Sequence, residues 1–266
     1  MNRQPSETLD VLVTVKAYPT PSFALGESVC TAGVTRDRRF VRLYPVPFRG
    51  LDEPDQFKKW QWITVRVHRR RSDHRPESFV PELETLRLRE FVSSDDNWRK
   101  RLALVEGMSA PSLCAIQKAQ KERGTSLGLL RPMEVLDLTY EPTARAWSEE
   151  ERQKLAQARL FGGTSTAPLE KIPYKFHYVF RCEDCRAAQP HRCSIVDWEL
   201  GQLYRRLARE GDEAGALRKI RERWLDDICA PTNDVLFFVG NQLRHPAAFM
   251  VLGYMRPKRD LQASLF

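Results

Sequence analysis

The sequence predicts an α+β fold, with a small N-terminal β-barrel-like domain followed by a mixed helical and strand domain built around a zinc knuckle. Three observations carry this prediction. Short β-branched and alternating runs crowd the first 92 residues, and helical periodicity with capping signals begins only beyond them. A cluster of Cys182, Cys185, His191 and Cys193 then joins an alternating aromatic run to an apolar helical one.

Composition bounds the class. At 266 residues, with 42% hydrophobic and 10% aromatic side chains, the chain can bury a sizeable core and does not read as disordered. It has no apolar run of about eighteen residues, the length a membrane helix needs. The Met1–Asp10 segment is polar, so no signal peptide is expected, and the expected location is the cytoplasm, with the nucleoid. Six cysteines, three of them clustered, suit a reducing compartment and a metal site better than a disulfide framework. The formal charge of +8 and a pI near 9.3 favour a polyanionic partner.

From the N-terminus, Val11 to Val15 is a β-branched strand closed by the turn residues around Pro19 and Pro21. Strands follow near Ser28 to Val34 and Arg39 to Tyr44, the latter stopped by Pro45 and Pro47. Gln61 to His68 alternates, and a last strand falls near Glu84 to Val92. Short strands at this spacing suggest a barrel. Its arginines cluster: Arg36, Arg38, Arg39 and Arg42 interleave with Phe40, Tyr44 and Phe48, and Arg66, Arg69, Arg70, Arg71 and Arg75 follow close together. Guanidinium groups suit phosphates and aromatic rings stack on bases, so these nine arginines are the candidate nucleic-acid-binding residues.

Ser94 and Asp95 read as caps for a helix over Asn97 to Val105, with Arg99, Lys100 and Arg101 extending the basic surface. A second helix begins after Pro111 and stops at Gly124, a strand spans Met133 to Thr139, and Ser148 with Glu151 forms a capping box for a third helix. Phe161 to Thr166 is the best linker. The domain expectation is therefore a basic β-rich domain with appended helices at 1–160, a zinc-knuckle domain at 167–255 and an extended tail at 256–266. Within the second domain, Tyr174 to Arg181 alternates as a strand. Helices run from Asp197 to Gly211 and onward from Asp212, and two apolar strands bracket Gly240-Asn241 and Pro246.

Two thiolates spaced Cys-x-x-Cys lie on one side of a turn at the separation a tetrahedral zinc ion needs, and His191 with Cys193 would complete a closed, structural set. Cys229 is a candidate replacement for either of the last two. Asp197 and Glu199, with Glu183 and Asp184 nearby, are candidate ligands of a divalent ion in phosphodiester cleavage, although both are also ordinary helix-start residues. No P-loop, dinucleotide fingerprint, HExxH or nucleophile elbow occurs, which argues against the enzymes those motifs mark.

The final residues Gln262-Ala263-Ser264-Leu265-Phe266 resemble the short peptides with which bacterial repair and replication proteins dock on the DNA polymerase sliding clamp. The resemblance covers five residues and departs at Ala263, where strong binders often carry leucine. It implies that Gln262, Ser264, Leu265 and Phe266 bind the clamp. The block from Phe180 to Glu199 also resembles a bacterial family without an assigned activity. Together these readings lead to the expectation of a zinc-stabilised DNA-binding protein of bacterial genome maintenance or mobile-element defence, tethered to the clamp. A metal-dependent nuclease using Asp197 and Glu199, or an RNA-binding module, is the alternative.

Overall fold

The α+β expectation holds in the computed structural model, which describes residues 5–22, 25–160, 168–184 and 189–259. The N-terminal strands are β1 (Ser6–Lys16), β2 (Thr20–Ser22), β3 (Gly26–Thr35), β4 (Phe40–Val46), β5 (Gln61–His68) and β6 (Ser78–Phe91). They pair in the order β1-β5-β6-β4-β3, and β1 also pairs with β3, so five strands close into a barrel with β2 added on β3. Every barrel pairing is antiparallel except β4 with β6.

Alternation explains the barrel interior. Val11 and Val13 of β1 point inward with Ile63, Val65 and Val67 of β5 and Leu43 of β4. Leu12 and Val15 point outward, yet they too are buried, because they pack on Leu127, Leu129, Leu236, Phe238 and Leu252. The continuous apolar run of β1 is thus a strand covered on both faces.

Helix α1 (Arg99–Val105) follows, then β7 (Ser109–Ala110), α2 (Leu113–Arg123), β8 (Leu127–Leu130), β9 (Glu134–Pro142), α3 (Glu149–Leu160), β10 (Tyr174–Arg181) and β11 (His191–Ser194). Helices α4 (Trp198–Glu210) and α5 (Glu213–Arg221) precede a π-helical turn at Glu222–Asp227, and β12 (Leu236–Gln242) with β13 (His245–Met255) ends the described chain. These strands form two sheets, β11-β10-β9 and β13-β12-β8-β7. Their shared core is aromatic, with Phe176, Tyr178, Phe180, Trp224 and Phe237 fully buried.

The structure refines several readings. The last barrel strand begins at Ser78, ahead of the expected Glu84, and includes Pro81 opposite Val67. Ser94 and Asp95 do not cap α1: Asp96, Asn97 and Trp98 precede it with positive φ, and Trp98 is the N-cap without a side-chain bond. Arg101 is not part of a basic surface. It is 6% exposed, lies 4.7 Å from the Trp60 and Trp98 rings and donates to the Val92 carbonyl at 2.9 Å. The segment at 109–142 pairs with the C-terminal strands, β8 with β12 and β9 with β10, instead of standing as an appendage of the barrel. The linker at 161–166 lies outside the described residues.

The knuckle expectation resolves into a hairpin. His191–Ser194 is a strand antiparallel to β10, with His191 opposite Phe180 and Cys193 opposite Tyr178. Cys185 lies outside the described residues, and among those described no three His, Cys, Asp or Glu side chains form a group that could hold a metal ion. What stands is the α+β class with an N-terminal barrel.

Candidate nucleic-acid interface

A cavity of about 550 Å³ lies between the barrel and the second unit. Cys30 of β3, Arg42 and Tyr44 of β4 and Ser78 and Phe79 of β6 form its barrel side. The segment Tyr18–Thr20 and the loop residues Arg70, Ser72, Asp73 and Arg75 flank it. The second unit supplies the turn from Asn241 to Arg244, together with Trp147, Lys171, Tyr174 and the Leu200–Gly201 face of α4.

Two buried guanidinium groups hold the two sides together. Arg42 is 3% exposed and donates to the Ser126 carbonyl at 2.8 Å, to Ser126 Oγ at 3.1 Å and to the Asn241 carbonyl at 3.1 Å. Arg75 is 7% exposed and donates to the same Asn241 carbonyl at 3.1 Å while forming a two-pronged pair with Asp73 at 2.9 and 2.7 Å. The Glu77 carboxylate accepts from Ser126 Oγ at 2.8 Å, so Arg42 has its counter-charge one side chain away. Burial pushes the Arg42 pKa down, and the neighbouring Arg75 charge adds to that effect. Burial alone would raise the Asp73 pKa, but hydrogen bonds from Arg75 and Ser78 outweigh it and hold the carboxyl well below its ordinary value.

The candidate arginines therefore divide. Arg42 and Arg75 line the cavity as structural clamps, and Arg70 lies exposed at its edge. Arg69 stacks over the Phe79 ring at 4.5 Å, and Arg71 is exposed on the same loop. The other four are engaged on the surface elsewhere. Arg36 pairs with Asp10 at 3.1 Å and Glu90 at 3.2 Å, Arg39 with Asp37 at 2.6 Å and Arg66 with Glu82 at 2.5 Å. Arg38 donates to the Ala103 and Glu106 carbonyls. Of the interleaved aromatics, Tyr44 faces the cavity and Phe48 is core. Lys175 and Arg244, which the sequence reading did not single out, are exposed lining residues.

Asp197 and Glu199 are arranged around a lysine. Asp197, 1% exposed, caps α4 by accepting from Glu199 N at 2.7 Å. Lys59 Nζ lies 2.9 Å from Asp197 Oδ2 and 3.3 Å from Glu199 Oε1. Burial pushes the Asp197 pKa up to about 6, against the pull of Lys59. The Lys59 pKa rises because the two carboxylates outweigh its burial. A divalent ion at these carboxylates would have to displace an ammonium already in place.

The cysteines show one residue the sequence reading missed. Cys114, in the first turn of α2, has its Sγ 3.8 Å from His191 Nε2. The neighbouring Leu113 N–H donates to Cys182 Sγ at 3.5 Å. Burial lowers the His191 pKa, favouring the neutral imidazole that ligates metals. Cys193 is 4% exposed in the aromatic core, where burial pushes its thiol up to about 12, with Cys182 nearby. Cys229 does not join the cluster and instead donates to the Trp224 carbonyl at 3.4 Å. Gln262, Ser264, Leu265 and Phe266 lie outside the described residues.

Fold and site together define a two-unit α+β protein with an arginine- and aromatic-lined cavity at the junction. Residues 108–266 match the family model described as a domain of unknown function (DUF8757), and residues 7–107 match another such domain (DUF8758). The first match spans more than half of the chain, so the protein belongs to that family. No curated protein matches it. The two matches meet at α1–β7, where the barrel unit gives way to strands of the second core.

The Arg75–Asp73 pair gives a pH prediction. Because the folded-state pKa of Asp73 is depressed, its contribution is present above the unfolded value near 3.8 and is lost as pH falls below that value toward the folded pKa. Asp73→Asn should lower stability at neutral pH by about 3 kcal/mol, since it leaves Arg75 buried without its partner. It should also flatten the acid-side loss seen in denaturant titrations of the native chain. A variant as stable as the native protein, with the same acid-side slope, would remove the pair from its clamping role.

Proposed function

We propose that this protein binds single-stranded or deformed DNA at the cavity between barrel and second unit, in bacterial genome maintenance or mobile-element defence. The observation that carries this reading is the position of the cavity. Leaving aside the short β2, the barrel strands are ordered as in OB-type five-stranded Greek-key barrels, whose second and third strands and flanking loops bind oligonucleotides. Here those elements are β3, β4, the Tyr18–Thr20 segment and the Arg70–Arg75 loop, and the cavity lies on them. Fold analogy alone carries little weight, so the lining residues matter more. Tyr18, Tyr44, Trp147 and Tyr174 offer stacking faces, while Arg70, Lys175 and Arg244 offer charge for phosphates.

The nuclease alternative gains no support from the geometry, because Asp197 and Glu199 share Lys59. For the binding reading, DNA affinity measured by fluorescence anisotropy should fall steeply with salt. Removing one cation that neutralises a phosphate should reduce the slope of log K against log salt by about 0.7 for a single strand. Replacing Arg70, Arg71 and Arg244 by Ala should therefore flatten the slope, whereas Arg36→Ala and Arg39→Ala should leave it unchanged. An equal slope in the triple variant would reduce these arginines to a solvated rim. RNA bound in preference to DNA would favour the RNA-binding module.

A structural zinc ion belongs to the same proposal. The contact of Cys114 with His191 supports a cysteine and histidine site at the first turn of α2 that Cys185, outside the described residues, would have to complete, and it favours Cys114 over Cys193 as a ligand. Metal analysis of protein purified without chelator should find about one zinc per chain. Cys114→Ala should lose that metal and lower the melting temperature, while Cys193→Ala should keep it. Native protein without zinc would end the proposal.

The clamp tether completes the functional reading. Leu265 and Phe266 would fill an apolar pocket while Gln262 makes directed hydrogen bonds, the usual division of roles in peptide docking. Deleting the last five residues should abolish binding to the sliding clamp in calorimetry, with DNA affinity and melting temperature unchanged. A melting temperature several degrees lower would mark the tail as part of the fold.

A further inference from the structure

We infer that the cavity receives a single nucleotide unit, with the base against its aromatic walls and the phosphate at its cationic edge. This deepens the nucleic-acid reading and rests on it. A volume of about 550 Å³, bounded by residues of both units, falls within the range of small-ligand pockets, about 300–1,000 Å³. A run of several stacked nucleotides needs a long groove, and here residues of the Asn241–Arg244 turn and Trp147 line the same half-open space as the barrel face.

The chemistry of the lining is graded: Phe176 is buried and Tyr44 and Tyr174 are partly buried, whereas Arg70, Lys175 and Arg244 are exposed. A ligand that fits this gradient has a flat apolar body and an anionic end, as a nucleotide does.

The wall is also held in place before any ligand arrives. Tyr18 OH donates to the Glu170 carbonyl at 2.9 Å, and its ring lies so close to α4 that a Cβ on Gly201 would sit 2.2 Å from it. Trp147 is fixed by its Nε1 bond to the Leu169 carbonyl at 2.8 Å and by Lys171 Nζ, 5.1 Å from its ring.

The nucleotide can come from a strand or from solution, and one experiment separates the sources. The intact protein is titrated with a short single-stranded oligonucleotide carrying one aminopurine, and the complex is challenged with adenosine monophosphate or with inorganic phosphate alone. The expected result is a change in aminopurine fluorescence on binding and competition by the mononucleotide but not by phosphate. Trp147→Ala should weaken binding by about tenfold, the equivalent of removing one base stack, and abolish the fluorescence change. Tyr44→Ala serves as an independent wall variant, and Arg36→Ala, outside the cavity, should change neither readout. If the oligonucleotide binds while its fluorescence, the mononucleotide challenge and both wall variants have no effect, the cavity inference is overturned and the DNA-binding reading stands. Binding of the mononucleotide without the oligonucleotide would keep the cavity inference, assign a free nucleotide as its source and end the DNA reading. Binding of neither would end both.

Discussion

Two guanidinium groups from the barrel meeting one backbone carbonyl of the second unit hold the junction of this molecule in shape. Arg42 and Arg75 both donate to the Asn241 carbonyl at 3.1 Å, from positions 199 and 166 residues away in sequence. A buried charge without partners is costly, so each arginine is tolerated only where the second unit and the Asp73 and Glu77 carboxylates are present. The contact thus makes the seating of one unit on the other specific, while the apolar surface shared by Leu12, Val15, Trp62, Leu129 and Phe238 supplies the bulk of the adhesion.

That seating creates the cavity. Without the second unit, the outward face of β3 and β4 would be an open barrel surface; with it, the same face becomes one wall of a half-open cavity. On the proposed reading, this arrangement turns a surface for sequence-tolerant stacking into a pocket for one unit of a ligand. The exposed Arg70, Lys175 and Arg244 bring positive charge to its lining. The zinc proposal concerns a separate place, the first turn of α2, where metal binding would brace the second core instead of doing chemistry.

Much of the secondary structure was legible because its signals are local. The alternation of Gln61 to His68 and Tyr174 to Arg181, the caps Asp197 and Asp212, and the reciprocal bonds of Ser148 with Glu151 all depend on neighbours a few residues away. The site was less legible. Arg39 and Arg42 look alike in sequence, yet one is exposed beside Asp37 and the other is sealed under residues near positions 126 and 241. Likewise Cys114 lies 77 residues from His191, so no spacing rule could have paired them. The four-residue strand β8 was missed because so short an apolar run has no period to read. Alternation tells which residues leave the barrel interior, not what covers them afterwards.

The central claim is that DNA is bound in the junction between the two units and not on the arginine-rich exterior of the barrel. Hydrogen–deuterium exchange of the intact protein, with and without saturating single-stranded DNA, tests it most directly. The account predicts slower exchange in Tyr18–Thr20, the Arg69–Glu77 loop and the Asn241–Arg244 turn, with Arg36–Arg39 unchanged. Protection confined to Arg36–Arg39 and the Arg66 strand, with the junction exchanging as in the free protein, would contradict it.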